Sequence, residues 1–347
     1  METLKLSICI ATYKRGAFIG KTLDSILNQL APSVEIIIVD GASPDNTQEV
    51  MAEYVSKHPE IHYYREHENS GVDGDFDKAV GYAHGDYCWL MTDDDLLRPG
   101  AIQRVLTAIN ENCDLIVVNS EVKSVDLSET LEERKLKIFS DVRYGSHEQE
   151  KFFIDTANYL SFIGCVVVKR AAWISRDRTS YYGTLFIHVG VIFQSPLLRN
   201  TMVISDPLMV IRYGNAMWTP RGFEIWMFKW PKLIWSFPGF SDRAKQTVCH
   251  FEPWRRAKTL FLYRAMGSYT FAEFHRFYPE KNRKIERIMA HAISIFPAKL
   301  ANFIMVFYVS LRAQNLRVTL YDLLHSPHSM AINRLMASII MRIKGIS

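Results

Sequence analysis

Three consecutive aspartates, Asp93, Asp94 and Asp95, sit in the stretch CWLMTDDDLLRPG (88–100). Adjacent carboxylates repel one another unless a cation or solvent offsets their charge. Another carboxylate, Asp40, ends the apolar run VEIIIVD, with Ser43 and Asp45 just beyond it. Thr12 and Tyr13 follow the first apolar run, and Asn119 follows LIVV. Hard divalent cations take oxygen ligands and fill their remaining positions with water or phosphate oxygens. One or two of these aspartates plus a diphosphate would complete such a sphere around Mn²⁺ or Mg²⁺. The chain has no G-x-x-x-x-G-K-[ST] segment, so a P-loop is excluded. Acidic triplets are also common in ordinary solvated loops. The combination with Asp40 is what gives this one chemical meaning.

The elements that would position these residues alternate in period. Leu4–Ala11 is a β-rich apolar run. Phe18, Ile19, Leu23, Ile26, Leu27 and Leu30 then recur at helical spacing. Val34–Val39 predicts a buried strand, Thr47–Val55 a helix and Ile61–Arg65 a short strand. Phe76–Ala83 predicts a helix stopped at Gly85, and Tyr87–Met91 a strand. Pro99 and Gly100 mark a helix start, with Ile102, Val105, Leu106 and Ile109 on one face. Leu115–Val118, Phe162–Val168 and Met202–Tyr213 carry further strand signals. Repeated strand–helix units predict an α/β fold with a mostly parallel sheet covered on both faces. In such sheets ligands bind at the carboxyl ends of the strands. All the polar residues named above fall there. Residues 123–150 are charged, lack a clear period and read as an excursion or mobile loop.

The 347-residue chain has 48% hydrophobic residues, which is globular composition. Five widely spaced cysteines with no C-x-x-C argue against a zinc site or disulfide framework and fit a reducing cytosol. The start, METLKLSICIATYKR, reads as a first strand rather than a signal peptide. The formal net charge of +4 hides an asymmetry. Residues 1–150 hold 14 Lys/Arg against 27 Asp/Glu, a net −13, whereas residues 255–347 hold 15 against 4, a net +11. In the tail, the longest charge-free core of Ile285–Leu311 is the 12 residues Leu300–Leu311. A spanning helix needs about 20 apolar residues, so a core or interfacial helix is expected there. Ala331–Ser347 sets Ile332, Leu335, Met336, Ile339, Ile340 and Ile343 against Arg334, Arg342 and Lys344. That pattern suits an anionic membrane surface; packing on the protein's own core is the alternative.

The first 120 residues resemble family 2 glycosyltransferases of the GT-A fold. The motifs that carry the resemblance are SICIATYKR (7–15), EIIIVDGASPDNT (35–47) and ENSGVDGDFDKAVGYAHGDYCWLMTDDDLLRPGAI (68–102). The style of the third is similar to the abequosyltransferase-like branch, which builds bacterial O-antigen and related polysaccharides. The resemblance thins towards residue 215 and fades beyond it. It implies a GT-A catalytic domain over 1–215, with a nucleotide-sugar half to residue 120 and an acceptor half over 121–215; the composition shift from Trp218 marks a helical, basic, Trp-rich region over 216–347. The resemblance places Thr12 and Tyr13 in the nucleotide loop and Asp40 on the base. Asp45 is either a ligand or a helix cap, and Asp77 lies beneath the sugar nucleotide where many members have Asn. It leaves open which of Asp93, Asp94 and Asp95 holds the metal. Asp95 is the preferred ligand and Asp93 the ribose partner or second ligand.

The implied reaction inverts the anomeric centre and needs a general base. The family's usual acidic pair is missing from YYGTLFIHVGVIF (181–193), so His188 is expected as the base. Asp177 is the alternative. In RYGNAMWTPRGFEIW (212–226), Arg212 and Arg221 are expected on phosphate oxygens and Trp218 on a sugar or membrane, as parts of a closing loop. The expected partners are a nucleotide-diphosphate sugar, a saccharide acceptor carried on a lipid, and an anionic membrane surface. The expected place is the cytoplasmic inner face of the bacterial cytoplasmic membrane. A non-catalytic sugar-nucleotide-binding scaffold and a nucleotidyltransferase are the competing readings. The second normally has a Gly-rich basic loop after the first strand, and ATYKRGAF has one glycine. Nucleic-acid binding is not expected, because no binding module is recognisable and the front half is acidic.

Overall fold

The structure is a computed structural model describing residues 4–217, 221–279, 284–312 and 316–344. The chain runs β1 (Leu6–Thr12), α1 (Ile19–Leu27), β2 (Val34–Asp40), α2 (Thr47–Lys57), β3 (Ile61–Arg65), α3 (Gly71–Tyr82), β4 (Tyr87–Met91), β5 (Leu96–Leu97) and α4 (Ala101–Ile109). Next come β6 (Leu115–Ser124), β7 (Thr130–Glu132), β8 (Val142–Tyr144), α5 (Gln149–Thr156), β9 (Val166–Lys169), α6 (Arg170–Ile174), α7 (Ile187–Phe193) and β10 (Thr201–Tyr213). All ten strands join one sheet in the order β3-β2-β1-β4-β9-β6-β10-β5, with β7 on β6 and β8 on β10. β3, β2, β1 and β4 are parallel, as are β6 and β10; β9 runs antiparallel between β4 and β6. This is the α/β sheet expected from the alternating periods.

The chain winds outward from β1 to β3 and then returns to place β4 on the other side of β1. Strand order reverses there, so a crevice opens beyond the carboxyl ends of β1 and β4. β2 and β4 are buried at every residue, as strands covered on both faces must be. Each large aliphatic side chain among Ile36, Ile37, Ile38 and Val39 contributes about 1.5–3 kcal/mol by leaving water. The polar exception, Glu35, is tolerated because its carboxylate accepts from the Ser7 hydroxyl (2.6 Å) and the His84 (2.6 Å) and Gly85 (3.2 Å) backbone N–H groups. On α1, Ile19, Thr22, Leu23 and Ile26 are buried, the i, i+3, i+4, i+7 face that the spacing predicts.

Three expectations need correction. α3 begins at Gly71, five residues before the apolar pattern starts, because Asp73 and Asp75 in its first turns are buried against protein donors. Residues 123–150 contain β7 and β8. Asn119 pins this excursion: its side chain donates to Leu136 O and Ser205 O (both 2.9 Å) and accepts from the Leu136 N–H (2.8 Å). Asn119 is therefore a buried structural residue rather than a ligand on the rim. In Phe162–Val168, only the end is a strand; Ile163–Cys165 is a 3-10 turn, and its Gly164 carbonyl accepts from Trp89 Nε1 at 2.9 Å.

The chain divides into two compact units. The first is Met1–Tyr213 with Phe237–Val248, and the second is Gly214–Ser236 with Cys249–Ser347. The segment Phe237–Val248 thus returns to the first unit instead of following the 215/216 division. There, Phe240 stacks on Phe153 with centroids 4.1 Å apart. α10 (Asp242–Val248) lies in this return; before it come α8 (Gly222–Glu224) and α9 (Trp230–Ser236), and after it α11 (Ala257–Met266), α12 (Phe271–Phe277), α13 (Lys284–Ile295), α14 (Ala298–Ser310), α15 (Arg317–His325) and α16 (Ala331–Ile343). The second unit has two cores. One gathers Phe223, Met227, Trp254, Leu260, Tyr269, Phe274 and Tyr278; the other gathers Ala301, Met305, Val306, Val309, Leu320, Leu323 and Ala337. Among the described residues no single helix is long and apolar enough to cross a membrane. α13 and α14 pass that test only as a pair bent by 99°.

Candidate active site

Strand register builds the floor of the crevice. Thr12 pairs with Asp40, and Asp40 pairs with Arg65, so the last residues of β1, β2 and β3 stand in one row. Ile10 pairs with Met91, which brings the acidic run after β4 level with the loop after β1. That loop is fastened from beside it. The Lys14 N–H donates to Ser43 Oγ (3.0 Å), the Arg15 N–H to Thr47 Oγ1 (3.0 Å) and the Gly16 N–H to Asp45 Oδ2 (3.2 Å). A Cβ on Gly16 would lie 2.2 Å from Asn46 Oδ1, so the close approach requires glycine. Asp45 therefore works as a loop clamp and also accepts from the Thr47 hydroxyl (2.6 Å). Burial raises its pKa, but these hydrogen bonds outweigh that and lower it overall.

The three aspartates divide their duties. Asp93 and Asp94 share the Arg15 guanidinium: Nε lies 3.3 Å from Asp93 Oδ1 and Nη2 lies 3.3 Å from Asp94 Oδ2. The Tyr13 N–H donates to Asp93 Oδ2 at 3.4 Å. Burial first, and then the Asp94 charge, push the Asp93 carboxyl up to about 7 against the opposing pull of Arg15. Asp95 faces the protein. It accepts from the Thr92 hydroxyl at Oδ2 and from the Arg212 N–H (2.7 Å) at Oδ1. Asp95 is thus a brace, each of its oxygens holding a protein donor, while Asp93 and Asp94 face Arg15. Arg212 is a brace as well, buried and donating to Asp94 O (2.9 Å) and Val125 O (2.9 Å). Its Nη2 is buried with no protein partner.

Asp40 is fully buried. Its Oδ1 accepts from the Ser43 N–H (2.8 Å), and its Oδ2 from the Tyr63 hydroxyl (2.5 Å) and Arg65 Nη1 (3.1 Å). Three donors leave about one of the roughly four lone-pair directions of a carboxylate for a ligand. Beside it, a Cβ on Gly41 would lie 2.7 Å from Asp75 Oδ2. Asp75 is buried, accepts from Ser70 Oγ (2.5 Å), and is raised in pKa chiefly by burial. Sequence reasoning missed Arg15, Tyr63, Arg65 and Asp75. Arg65 had a readable signal: it ends β3 as Asp40 ends β2, and Tyr63 lies two residues back on the same strand face.

The other expected residues are placed elsewhere. His188 is buried on α7, with Nε2 2.6 Å from Leu160 O. Burial holds its pKa down to about 4, so it is a neutral core imidazole that an acceptor in solvent cannot reach. Asp177 lines an open pocket with Asp114, which precedes β6 and so marks the amino end of that strand, opposite the acidic rim. Its carboxylate accepts from the Ser180 N–H (3.2 Å), as a turn cap does, and hydrogen bonding lowers its pKa. Neither residue is placed to act as base. Asp77 ties loop 173–182 to α3: it accepts from Trp173 Nε1 (2.8 Å) and the Tyr182 hydroxyl (2.5 Å) and pairs with Arg178 (2.8 Å). One turn earlier, Asp73 accepts from the Leu185 (2.8 Å) and Ile187 (3.0 Å) N–H groups. Asp77 is therefore a structural anchor between α3 and this loop. Arg221, in the second unit, pairs with Glu224 at 3.1 Å rather than standing free for a phosphate. Trp218 lies outside the described residues.

Among the described residues no three His, Cys, Asp or Glu side chains converge as a ready metal cluster. Asp93 and Asp94 nevertheless offer two hard oxygen donors at a sheet rim, which suits Mn²⁺ or Mg²⁺ completed by phosphate oxygens.

The Glycosyl transferase family 2 model matches residues 7–177, which contain all of this rim. Residues 7–177 are therefore assigned to that family. It is 29% identical over 233 residues to the abequosyltransferase RfbV of Salmonella typhimurium, covering 62% of this chain and 69% of that protein. Two solved structures share the fold. TarS of S. aureus residues 1–349, in complex with UDP, superposes with a TM-score of 0.54 at 16% identity, covering 98% of this chain and 92% of that one. The mannosyltransferase PcManGT of Pyrobaculum calidifontis, in complex with GDP-Man and Mn²⁺, gives 0.50 at 16% identity, covering 100% and 88%. The GT-A architecture implied by the motifs is the one observed.

Proposed function

We propose that this family 2 glycosyltransferase inverts the anomeric centre of a nucleotide-diphosphate sugar as it transfers the sugar to a saccharide acceptor in bacterial cell-surface polysaccharide synthesis. The observation that carries this reading is the meeting of Asp93 and Asp94 at the β1/β4 switch point, one row from Asp40. Arg65 offers a donor to a base edge, and the buried Asp40 behind it holds that guanidinium in place, with Asp75 beside them. The acceptor hydroxyl forms a bond to the anomeric carbon as the bond to the diphosphate oxygen breaks. Its proton passes to a base on the acceptor side. A divalent cation held by Asp93 and Asp94 would offset the charge gathering on the departing diphosphate. The names of the abequosyltransferase relative and of the UDP- and GDP-Man-bound structures support a nucleotide-sugar donor. Thermal shifts with UDP-, GDP-, CDP- and dTDP-sugars, with and without Mn²⁺, test this. One nucleotide series is expected to stabilise the protein, by about 2.7 kcal/mol at a hundred times its Kd. If none shifts a folded sample, the reading fails.

The acceptor is proposed to be lipid-linked and the protein to be peripheral on the cytoplasmic face of the membrane. Support comes from the second unit. α14 exposes Leu300, Ile304 and Phe307, and α16 exposes Ile332, Leu335, Ile339 and Ile343. The buried side of α16 carries Asn333 and Ala337 instead, and Asn333 Nδ2 donates to Asn302 Oδ1 of α14 at 2.6 Å. Neither helix has an acidic residue, while Lys299, Arg334 and Arg342 supply positive charge. Apolar stripes beside basic residues suit an anionic interface. Flotation with phosphatidylglycerol vesicles is expected to carry the protein. Leu335→Glu with Ile339→Glu is expected to weaken binding about tenfold or more, since both side chains lose their apolar burial. Failure to float, or equal flotation with phosphatidylcholine, would remove the anionic-membrane proposal.

A further inference from the structure

We propose that Arg15 is a resident counterion of the acidic pair, exchanged for the divalent cation as the donor binds, and that its freed guanidinium then grips the donor's diphosphate. The proposal rests on the nucleotide-sugar reading above. Three facts support it. The guanidinium reaches both carboxylates, 3.3 Å from Asp93 and 3.3 Å from Asp94, with all three side chains nearly buried. The backbone beneath it is immobilised, because the N–H groups of residues 14, 15 and 16 are held by the side chains of Ser43, Thr47 and Asp45. Exchange therefore needs only side-chain rotation. The Arg15 group also lies 5.7 Å from the Phe18 ring centroid, an aromatic surface along which a guanidinium can slide without losing all its contacts.

Charge gives the direction. Asp93 and Asp94 ionised carry two negative charges, of which one arginine offsets one and a divalent ion offsets both. A metal ion arriving alone must displace Arg15 and leave it without an anion. A metal ion arriving with a diphosphate supplies that anion, and the planar fork of arginine matches phosphate oxygens in pairs. Arg15 thus penalises metal binding by itself and favours binding of metal and nucleotide together. A role confined to holding the loop would weaken both.

The test reads two affinities that the proposal moves in opposite directions. Binding of Mn²⁺ alone is followed by electron paramagnetic resonance of the free ion. Binding of UDP and of GDP in saturating Mn²⁺ is followed by calorimetry. Arg15→Gln is expected to bind Mn²⁺ alone about tenfold more tightly than the wild type and the nucleoside diphosphate about tenfold more weakly, the scale of one partly buried charge pair. Unchanged or weaker Mn²⁺ binding overturns the proposal. Arg15→Lys keeps the charge and loses the fork. It serves if the glutamine variant does not fold, and should weaken nucleotide binding while changing Mn²⁺ binding less; unchanged nucleotide binding overturns the proposal. If neither UDP nor GDP nor any sugar nucleotide binds the wild type, the donor reading fails first. If they bind and Mn²⁺ affinity ignores Arg15, only the exchange fails.

Discussion

Asp94→Asn is expected to lower kcat/KM for sugar transfer by about a thousandfold, or about 4 kcal/mol of transition-state stabilisation, while leaving the protein at least as stable. The carboxylate stands beside Asp93 and helps to push that group up to about 7. Removing it relieves a repulsion between desolvated like charges, so the folded state loses little. What it loses is half of the oxygen pair that would hold the cation against the leaving diphosphate. Kinetics with the active donor and a urea titration of the same sample make the check. A variant retaining a tenth or more of the wild-type kcat/KM would show that Asp94 does not serve the cation.

Asp95→Ala is expected to do the reverse of this at the next position. It should cost about 2–5 kcal/mol of folding stability, from two buried donors left unpaired at about 1–3 kcal/mol each. The Asp95 carboxylate joins the end of β4 to β10: it accepts from Thr92 on its own loop and from the Arg212 N–H, 117 residues away. Just beyond it, Leu96 and Leu97 pair antiparallel with Val210 and Met209, so the carboxylate continues that ladder by one rung. Alanine leaves the Arg212 N–H and the Thr92 hydroxyl without their acceptor. Asp95→Asn retains one carbonyl oxygen and is expected to lose about half as much, at the scale of one buried hydrogen bond to a charged group. Urea unfolding measures both; a loss under about 1 kcal/mol for the alanine variant would contradict the bracing role.

The contrast between Asp94 and Asp95 shows where the sequence ran out. Three identical side chains in a row differ only in which way the chain turns after β4. Apolar and aromatic runs located β1, β2, β3 and β4 to within two residues, because strands covered by helices on both faces need near-continuous apolar side chains. The start of α3 was hidden because its first turns carry Asp73 and Asp75, whose partners lie in distant loops. His188 looked like a base because a histidine amid apolar residues has the same local pattern whether it lines a cleft or fills a core. Its burial beside Leu160 O decided for the core. Arg221 looked like a phosphate ligand, yet Glu224, three residues on, takes its charge.

By itself the sequence determined β1–β4, β6, β9 and β10 and the helices α1–α4 in chain order, while β5, β7, β8 and α5–α7 gave no readable signal. It also determined that Thr12, Asp40 and the acidic run would reach one rim, since each directly follows a buried run whose direction in a parallel sheet is set. It determined the charge asymmetry between front and tail, which is additive and needs no folding. Tertiary structure alone decided that Arg15 stands between Asp93 and Asp94, that Asp95 and Arg212 brace β10, and that Asp77 anchors loop 173–182. It also decided that Asn333 turns inward on α16 while Leu335 and Ile339 face out. These are contacts between residues far apart in the chain. Local propensity fixes where a side chain begins, and the packing of other elements fixes what it meets.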